Sequence, residues 1–352
     1  MGSFLDKPVT TKFTEFRETK DFVWVVASMQ GWRAEMEDAH TCISEERDAA
    51  QHHFFGVFDG HGGKNAAKLC AKGLYDKVRG NFKTDSTEDP LYEAKKCGDA
   101  VRFRRTLSLS LPSHALHHIT QQLVKSFKDF DRDVLRNTLD SMSNRDCSGT
   151  TANVAYILPH HIVVANAGDS RAVLGQITKT SNGKVEAIPM SFDHKPKNEK
   201  ERERIIAAGG HVSMGRVDGD LAVSRALGDF IYKNPRRTCE KQKVSPVPDI
   251  KIHRRSEDDR FLILACDGIW DVMSNEDAVR FVSSHVAKGW MDMERIASEL
   301  LDTCLRRGSR DNMSVILIVF KHGDKKNGVT TTKANKKSDG GVNDATPPIP
   351  PV

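Results

Sequence analysis

Short apolar runs rich in Val, Ile and Phe recur along the chain, and each is bounded by Gly, Pro or Asp. This pattern is typical of β-strands. The predicted strands are Val23–Met29, Phe54–Phe58, Ala152–Leu158, Ile162–Ala167, Arg171–Leu174, Phe261–Ala265 and Val315–Phe320. Apolar residues that return every three or four positions predict amphipathic helices. The predicted helices are Asn65–Val78, Ala115–Leu139, Glu199–Ala208, Asn275–Ala287 and Glu294–Arg307, the third and fifth followed by the helix-ending glycines Gly209 and Gly308.

The order of these elements predicts the fold class and the domain division. Helices fall in blocks between groups of strands, which favours antiparallel sheets with helices packed outside them, an α+β fold, over a doubly wound parallel sheet. Residues 22–320 are expected to form one folded domain. The polar residues 1–21 are expected to be an irregular extension, and the polar residues 321–352 a disordered tail.

Composition excludes several classes of protein. The chain has 352 residues, of which 38% are hydrophobic, enough for a substantial core. Its net charge is +5, and residues 321–352 contribute six Lys against three Asp, so no basic surface for nucleic acid is expected in the folded domain. The seven Cys are widely spaced without a Cys-x-x-Cys pair, which favours a reducing intracellular compartment. Apolar runs reach only six residues, so no transmembrane segment is expected.

Acidic residues stand at the ends of the predicted strands. Asp59-Gly60 follows Phe54–Phe58, and Asp267-Gly268 follows a second apolar run. Asp311 stands shortly before Val315–Phe320, and Glu37 follows the first strand. An Asp at a buried strand end is costly unless it is paired, caps a turn or binds a cation. Asp-Gly is also a common hairpin turn, which is the simpler alternative.

If these carboxylates converge, the candidate ligands are all hard oxygens, which suit Mg²⁺ or Mn²⁺. The candidate ligands are Glu37, Asp59, the Gly60 carbonyl, Asp267 and Asp311. Their combined charge of about −4 matches two divalent ions better than one, and such a pair suits hydrolysis of a phosphate ester. Arg33 could bind phosphate oxygens and His61 could protonate the leaving group, although a surface ion pair or a capped turn is the alternative for each.

Other phosphate chemistries lack their motifs. Gly63-Lys64 is followed by Asn65, not by the Ser or Thr of a P-loop. No Arg stands five residues after Cys266, as a cysteine phosphatase would need. The carboxylates alone do not distinguish a protein phosphatase from a phosphodiesterase or a small-molecule phosphatase using the same ions.

Several long motifs resemble those of the metal-dependent type 2C protein serine/threonine phosphatases. The resemblance spans about residues 24–320. Its motifs are residues 28–40 (SMQGWRAEMEDAH), 58–63 (FDGHGG), 146–152 (DCSGTTA), 167–171 (AGDSR), 193–196 (DHKP), 216–217 (RV), 221–229 (LAVSRALGD), 265–272 (ACDGIWDV) and 308–314 (GSRDNMS). The resemblance implies a β-sandwich of two antiparallel sheets flanked by helices, with two Mg²⁺ or Mn²⁺ ions between the sheets.

The resemblance also implies roles for individual residues. Asp59 would bridge both ions, and Gly60 would give its carbonyl oxygen to one of them. Asp267 and Asp311 would hold one ion, while Glu37 and Asp38 would support the other. A bridging hydroxide would attack phosphoserine or phosphothreonine in line, with Arg33 binding the phosphate and His61 protonating the departing oxygen. The remaining implied features are a weaker third ion at Asp146 and Asp271 with Asp267, and a flap at about residues 193–217.

A relative that has lost catalysis would bind phosphoproteins without hydrolysing them, but no principal ligand is missing here. We expect phosphorylated proteins as partners, a monomer and a cytoplasmic location, with nuclear or membrane-associated locations left open. The opening of the chain resembles that of the animal alpha/beta subgroup, some members of which are myristoylated. Myristoylation at Gly2, and membrane contact through it, stays open because Asp6 replaces the preferred Ser or Thr. Thr106 or Ser108 follows a basic stretch and is either a kinase site or part of a solvated loop.

Overall fold

A computed structural model describes residues 4–45, 52–84, 113–142, 146–179, 181, 183–286 and 292–321. These residues belong to one compact unit. The predictions for Gly2, Thr106, Ser108 and the tail from residue 322 lie outside the described residues. No helix within the described ranges is long and apolar enough to span a bilayer.

Two antiparallel sheets form the centre of the fold. In spatial order, the first sheet consists of β1 (Phe4–Glu18), β2 (Phe22–Arg33), β16 (Met313–Phe320), β15 (Asp259–Ala265), β9 (Arg171–Ile177) and β10 (Val185–Pro189). The second consists of β14 (Asp249–Arg254), β8 (His161–Ala167), β7 (Ala152–Ile157), β4 (His52–Phe58) and β3 (Ala39–Glu45).

Two small sheets and the helices complete the described structure. One small sheet contains β13 (Leu227–Gly228), β6 (Gly149–Thr150) and β5 (Gly60–His61), and the other is the hairpin of β11 (Val212–Ser213) and β12 (Arg216–Val217). The helices are α1 (Asn65–Thr84), α2 (Ser113–Asp129), α3 (Arg136–Ser141), α4 (Glu199–Ala207), α5 (Asp267–Trp270), α6 (Asn275–Val286) and α7 (Met293–Arg306). A π-helical stretch, Phe130–Leu135, joins α2 to α3, and short 3₁₀ helices lie at Phe230–Tyr232 and Cys239–Lys241.

The alternation of side chains along each strand builds a layered core. On β2, Phe22 and Trp24 pack between the two sheets, whereas Val23 and Val25 face α6 and α7 on the other side of the first sheet. The outer face of the second sheet packs on α1 and α2 in the same way. Successive strand residues point to opposite faces, so a strand that is apolar on both faces is covered on both. The predicted α+β sandwich with outer helices is confirmed.

The first 20 residues correct one prediction. We expected this polar stretch to be irregular, but Phe4–Glu18 is an edge strand paired antiparallel with β2. Most of its side chains are exposed, so the strand shows no apolar alternation in the sequence. Its backbone hydrogen bonds to a buried neighbour hold it in the sheet, and tertiary pairing of this kind overrides local propensity.

The predicted flap and the residues that follow it pack around a small core of their own. Ile205 of α4 and Val217 of β12 contact Val223, Ala226 and Val244. This core therefore extends beyond residue 217, the predicted end of the flap. The predicted helix end at Gly209 agrees with its φ of +76°, a conformation that favours glycine.

Candidate metal centre and catalytic cleft

The acidic residues at the strand ends meet at one end of the sandwich. Asp59 follows β4 of the second sheet, while Asp267 follows β15 and Asp311 precedes β16 in the first sheet. They line a cleft of about 560 Å³ together with Arg33 and Glu37. The hypothesis that these side chains converge is therefore supported by the geometry.

Two glycines allow the segments to approach each other closely. A Cβ atom on Gly60 would lie 2.3 Å from the carbonyl oxygen of Glu37, and one on Gly268 would lie 2.0 Å from that of Asn312. No side chain fits at such distances, so only glycine is accommodated at either position. The two Asp-Gly pairs are close-contact positions and not hairpin turns.

Asn312 fixes the segment that carries Arg33 and Glu37. Its Oδ1 atom accepts a hydrogen bond from the Glu37 amide at 2.8 Å. Its Nδ2 group donates to the carbonyls of Gln30 at 2.8 Å and Glu35 at 3.0 Å. Asn312 thus joins the end of β2 to the start of β16, a role that the sequence did not indicate.

Arg33 presents a fixed cation to the cleft. Its Nη2 atom donates to Oδ2 of Asp311 at 2.5 Å. Burial would lower the pKa of Arg33, but Asp311, with Asp59 and Asp267 behind it, raises the pKa. Its Nε atom is buried and has no hydrogen-bond partner within the described part of the chain. A charged side chain with an unused donor suits a phosphate oxygen.

Asp38 is buried behind the cleft. It accepts a hydrogen bond from the Ser314 hydroxyl at 2.7 Å, and one of its oxygens lies within 4.8 Å of ligand atoms of Asp59 and Cys266. Burial raises the pKa of Asp38 to about 7, against the opposing effect of Ser314. Burial also raises the pKa of the Cys266 thiol well above its usual value, and this thiol donates a hydrogen bond to the Asn312 carbonyl at 3.4 Å.

The densest negative charge is formed by Asp59, Asp169 and Asp267, each of which has an oxygen within 4.8 Å of the others. Burial raises the pKa of Asp59, and the Asp267 charge raises it further. Burial also raises the pKa of Asp267, and the Asp169 charge raises it further. Like charges this close in a buried site favour a bound cation, and oxygen ligands suit Mg²⁺ or Mn²⁺.

His61 faces the cleft from the small three-stranded sheet. Its Nε2 atom lies 2.7 Å from Oδ2 of Asp229, which is 3% exposed. The two meet because β5 and β13 both pair with β6. Burial would lower the pKa of His61, but Asp229 outweighs it and raises the pKa, so the ring keeps its proton to higher pH. Asp229 was not predicted.

Residues 23–313 match the family described as Protein phosphatase 2C. The chain belongs to the protein phosphatase 2C family. The resemblance inferred from the motifs is confirmed.

Curated relatives and solved structures agree with this assignment. Protein phosphatase 1B of Homo sapiens is 40% identical over 327 residues, which cover 92% of this chain but only 63% of that protein. Protein phosphatase 1A of Homo sapiens is 42% identical over 330 residues, covering 92% and 78% respectively. The fold is similar to a Toxoplasma gondii phosphatase (TM-score 0.66, 24% identity, 88% of this chain and 96% of that chain). It is also similar to serine-threonine phosphatase 2C from Toxoplasma gondii (TM-score 0.65, 22% identity, 91% and 99%).

Asp169 belongs to the centre of this phosphatase 2C fold but was not among the predicted site residues. It follows β8 and Gly168, and Lys195 Nζ donates a hydrogen bond to its Oδ2 atom. A usable signal was present, because Asp169 stands directly after an apolar strand and a glycine. The order Gly-Asp marks a strand end here just as Asp-Gly does at Asp59 and Asp267.

Of the residues predicted for a third ion, Asp267 lines the cleft, whereas Asp146 and Asp271 do not. Asp146 accepts hydrogen bonds from the Ser148 amide at 2.7 Å and from Asn65 Nδ2 at 2.5 Å. Burial would raise the pKa of Asp146, but these hydrogen bonds lower it. Asp271 is exposed at the end of α5. The third ion stays a prediction.

Proposed function

We propose that this chain hydrolyses phosphoserine and phosphothreonine in proteins, with the phosphatase 2C domain as its catalytic unit. The observation that carries the proposal is the cluster of Asp59, Asp169 and Asp267 beside Arg33 in one cleft. The curated relatives named protein phosphatase support the same activity.

The donor set fits two Mg²⁺ or Mn²⁺ ions. The residues proposed to hold them are Glu37, Asp38, Asp59, the Gly60 carbonyl, Asp267 and Asp311. When bound, such ions neutralise phosphate charge and lower the pKa of a bound water, which makes water a nucleophile at neutral pH.

Arg33 is proposed to bind and orient the phosphoryl group. Asp311 accepts a hydrogen bond from its Nη2 atom, so the guanidinium is held in one position at the cleft wall. Orientation by a preformed cation requires little reorganisation during the reaction. His61 is proposed to donate its Nδ1 proton to the departing Ser or Thr oxygen, while its Nε2–H donates to the Asp229 carboxylate, which favours the protonated ring.

The test is phosphate release from a phosphothreonine peptide, with Mn²⁺ or Mg²⁺ and with EDTA. Wild type is compared with Asp267→Asn and with Asp277→Asn, an acidic position on α6 that does not line the cleft. We expect EDTA to abolish release, Asp267→Asn to lose about 100-fold or more, and Asp277→Asn to match wild type. A phosphodiester substrate is included as a parallel arm. Release that persists in EDTA, or hydrolysis of the diester alone, would refute the proposal.

We infer further that the protein is a cytoplasmic monomer acting on phosphorylated proteins. An acyl group on Gly2 would add membrane contact, and the similarity of the opening residues to the alpha/beta subgroup supports testing it. Intact-mass measurement of protein purified from cells detects the acyl group directly.

A further inference from the structure

The catalytic cleft continues into a second concave surface. Ile231 and Tyr232 line both the cleft and a neighbouring cavity of about 240 Å³. That cavity in turn shares Lys233 and Arg237 with a third one of about 200 Å³. Residues 233–243, which we call the basic loop, supply most of this surface.

The basic loop carries positive charge that no described carboxylate neutralises. Its Lys233 pairs with Asp131, its Lys243 pairs with Asp218, and its acid, Glu240, pairs with Lys128. Within the described ranges no carboxylate lies at ion-pair distance from the exposed Arg236, and the lining of the 240 Å³ cavity contains no Asp or Glu.

Lys233 and Arg237 both line the two outer cavities, and Lys233 is paired with Asp131. The Nη1 atom of Arg237 donates to the carbonyl of Ala207 at 3.1 Å, a contact that orients the guanidinium without neutralising it. No described carboxylate forms an ion pair with it. A guanidinium held in this way offers its remaining donors to an incoming anion.

The loop is held in one conformation. The buried Gln242 accepts a hydrogen bond from the Asn234 amide at 2.7 Å and donates to the Asn234 and Arg237 carbonyls at 2.8 and 2.9 Å. The Arg236 amide donates to Asn234 Oδ1 at 2.9 Å. Because the backbone is already ordered, an anion that binds the two arginines costs little ordering of the loop.

We propose that Arg237, which lines the two outer cavities, and the adjacent exposed Arg236 form a subsite for an anionic side chain of the substrate polypeptide, close in sequence to the phosphorylated residue. The proposal rests on the proposed phosphatase activity and adds a substrate preference to it. A cleft of about 560 Å³ is roughly 8 Å across, the span of two to three extended residues. The two arginines lie beyond this cleft, so the anion is placed at least about two to three residues from the phosphorylated position. A carboxylate and a second phosphate share the chemistry that a guanidinium recognises.

The test compares kcat/KM for phosphothreonine peptides that differ only at the flanking positions. One set carries Glu at the second to fifth positions on the N-terminal side, one carries Glu on the C-terminal side, and one carries Gln throughout. A further peptide carries phosphoserine in place of one Glu, to distinguish a carboxylate from a second phosphate. The enzymes are wild type, the double variant Arg236→Gln/Arg237→Gln, and Arg280→Gln, a matched control on α6.

We expect wild type to favour Glu over Gln about three- to tenfold on one side of the phosphothreonine, mainly through KM. The Glu-to-Gln ratio of kcat/KM should fall towards one in the double variant and at high salt. The ratio should be unchanged in Arg280→Gln. An equal Glu-to-Gln ratio in wild type and double variant would overturn the subsite. The Gln peptide and p-nitrophenyl phosphate measure phosphate hydrolysis without a contribution from the anionic side chain. If wild type hydrolyses neither of them, the phosphatase activity itself is refuted.

Discussion

Glu201 links the flap to the second sheet through a buried ion network. Its carboxylate accepts hydrogen bonds from Arg225 at 2.8 Å, Arg204 at 2.7 Å and the Ser224 hydroxyl at 2.7 Å. Arg225 also donates to Asp249 on β14 at 2.7 Å. The Glu201 side chain is only 5% exposed, so its charge is compensated by protein groups more than by water. Replacing Glu201 by Gln keeps the shape and removes the charge.

The pKa of Glu201 sets the expected magnitude. Burial would raise this pKa, but Arg225 and Arg204 outweigh burial and lower it from 4.5 to about 2. One pKa unit corresponds to about 1.4 kcal/mol, so the ionised carboxylate stabilises the folded state by about 3 kcal/mol. Because the folded pKa lies below the unfolded one, this stability is present above about pH 4.5 and is lost as the pH falls towards 2.

Urea unfolding in EDTA, followed by circular dichroism, measures the effect. We expect Glu201→Gln to lower the free energy of unfolding by about 3 kcal/mol at pH 7, and the difference from wild type to shrink to less than half of that by pH 3. Glu203→Gln, at an exposed position on the same helix, is the matched control and should change the free energy of unfolding by less than about 0.5 kcal/mol.

Two outcomes would contradict this reasoning. Equal destabilisation by Glu201→Gln at pH 7 and pH 3 would show that lost packing, and not lost charge, causes the effect. No destabilisation at pH 7 would show that desolvation of the three charged groups cancels their attraction.

Two further predictions concern the cleft. Asp229→Asn removes the carboxylate that raises the pKa of His61, so the alkaline limb of the kcat profile on a phosphothreonine peptide should move to lower pH. An alkaline limb that does not move would show that Asp229 does not control the protonation of His61. Since burial raises the pKa of Asp38 to about 7, Mn²⁺ binding should release a proton and weaken from pH 7.5 to 6. Calorimetry in two buffers of different ionisation enthalpy measures this release, and buffer-independent heats would contradict it.

The layers of the fold were predictable because the central strands are apolar on both faces, and each face must be covered. β2 is apolar at successive positions, as in Phe22 to Val25, and each face contacts its own core. β1 was not predictable in this way, since most of its side chains are exposed and only its pairing with β2 holds it. Sequence pattern therefore reports which faces are covered, and it does not report backbone pairing at a polar edge.

Asp59, Asp267, Asp311 and Glu37 were predicted from strand ends, whereas Asp38, Asp146 and Asp271 were predicted only from the family resemblance. Asp59 and Asp267 follow strands of the two facing sheets, so the packing of the sandwich brings them together. The contact of His61 with Asp229 instead depends on strands of two residues each, β5, β6 and β13. Nothing local to either residue specifies such short strands, because their pairing is decided by the packing of the larger sheets around them.

Four acids of the catalytic site stand next to a crowded glycine. The glycines next to Asp59, Asp169, Asp229 and Asp267 would each place a Cβ atom between 2.0 and 2.5 Å from another residue. At Asp218-Gly219 a Cβ atom would meet nothing within 4 Å, and Asp218 pairs with Lys243. An acid beside a crowded glycine is held where a second segment approaches closely, which concentrates charge. Asp218, beside an uncrowded glycine, simply follows the end of a strand, and the Asp-Gly pairs of the two cases have the same local sequence.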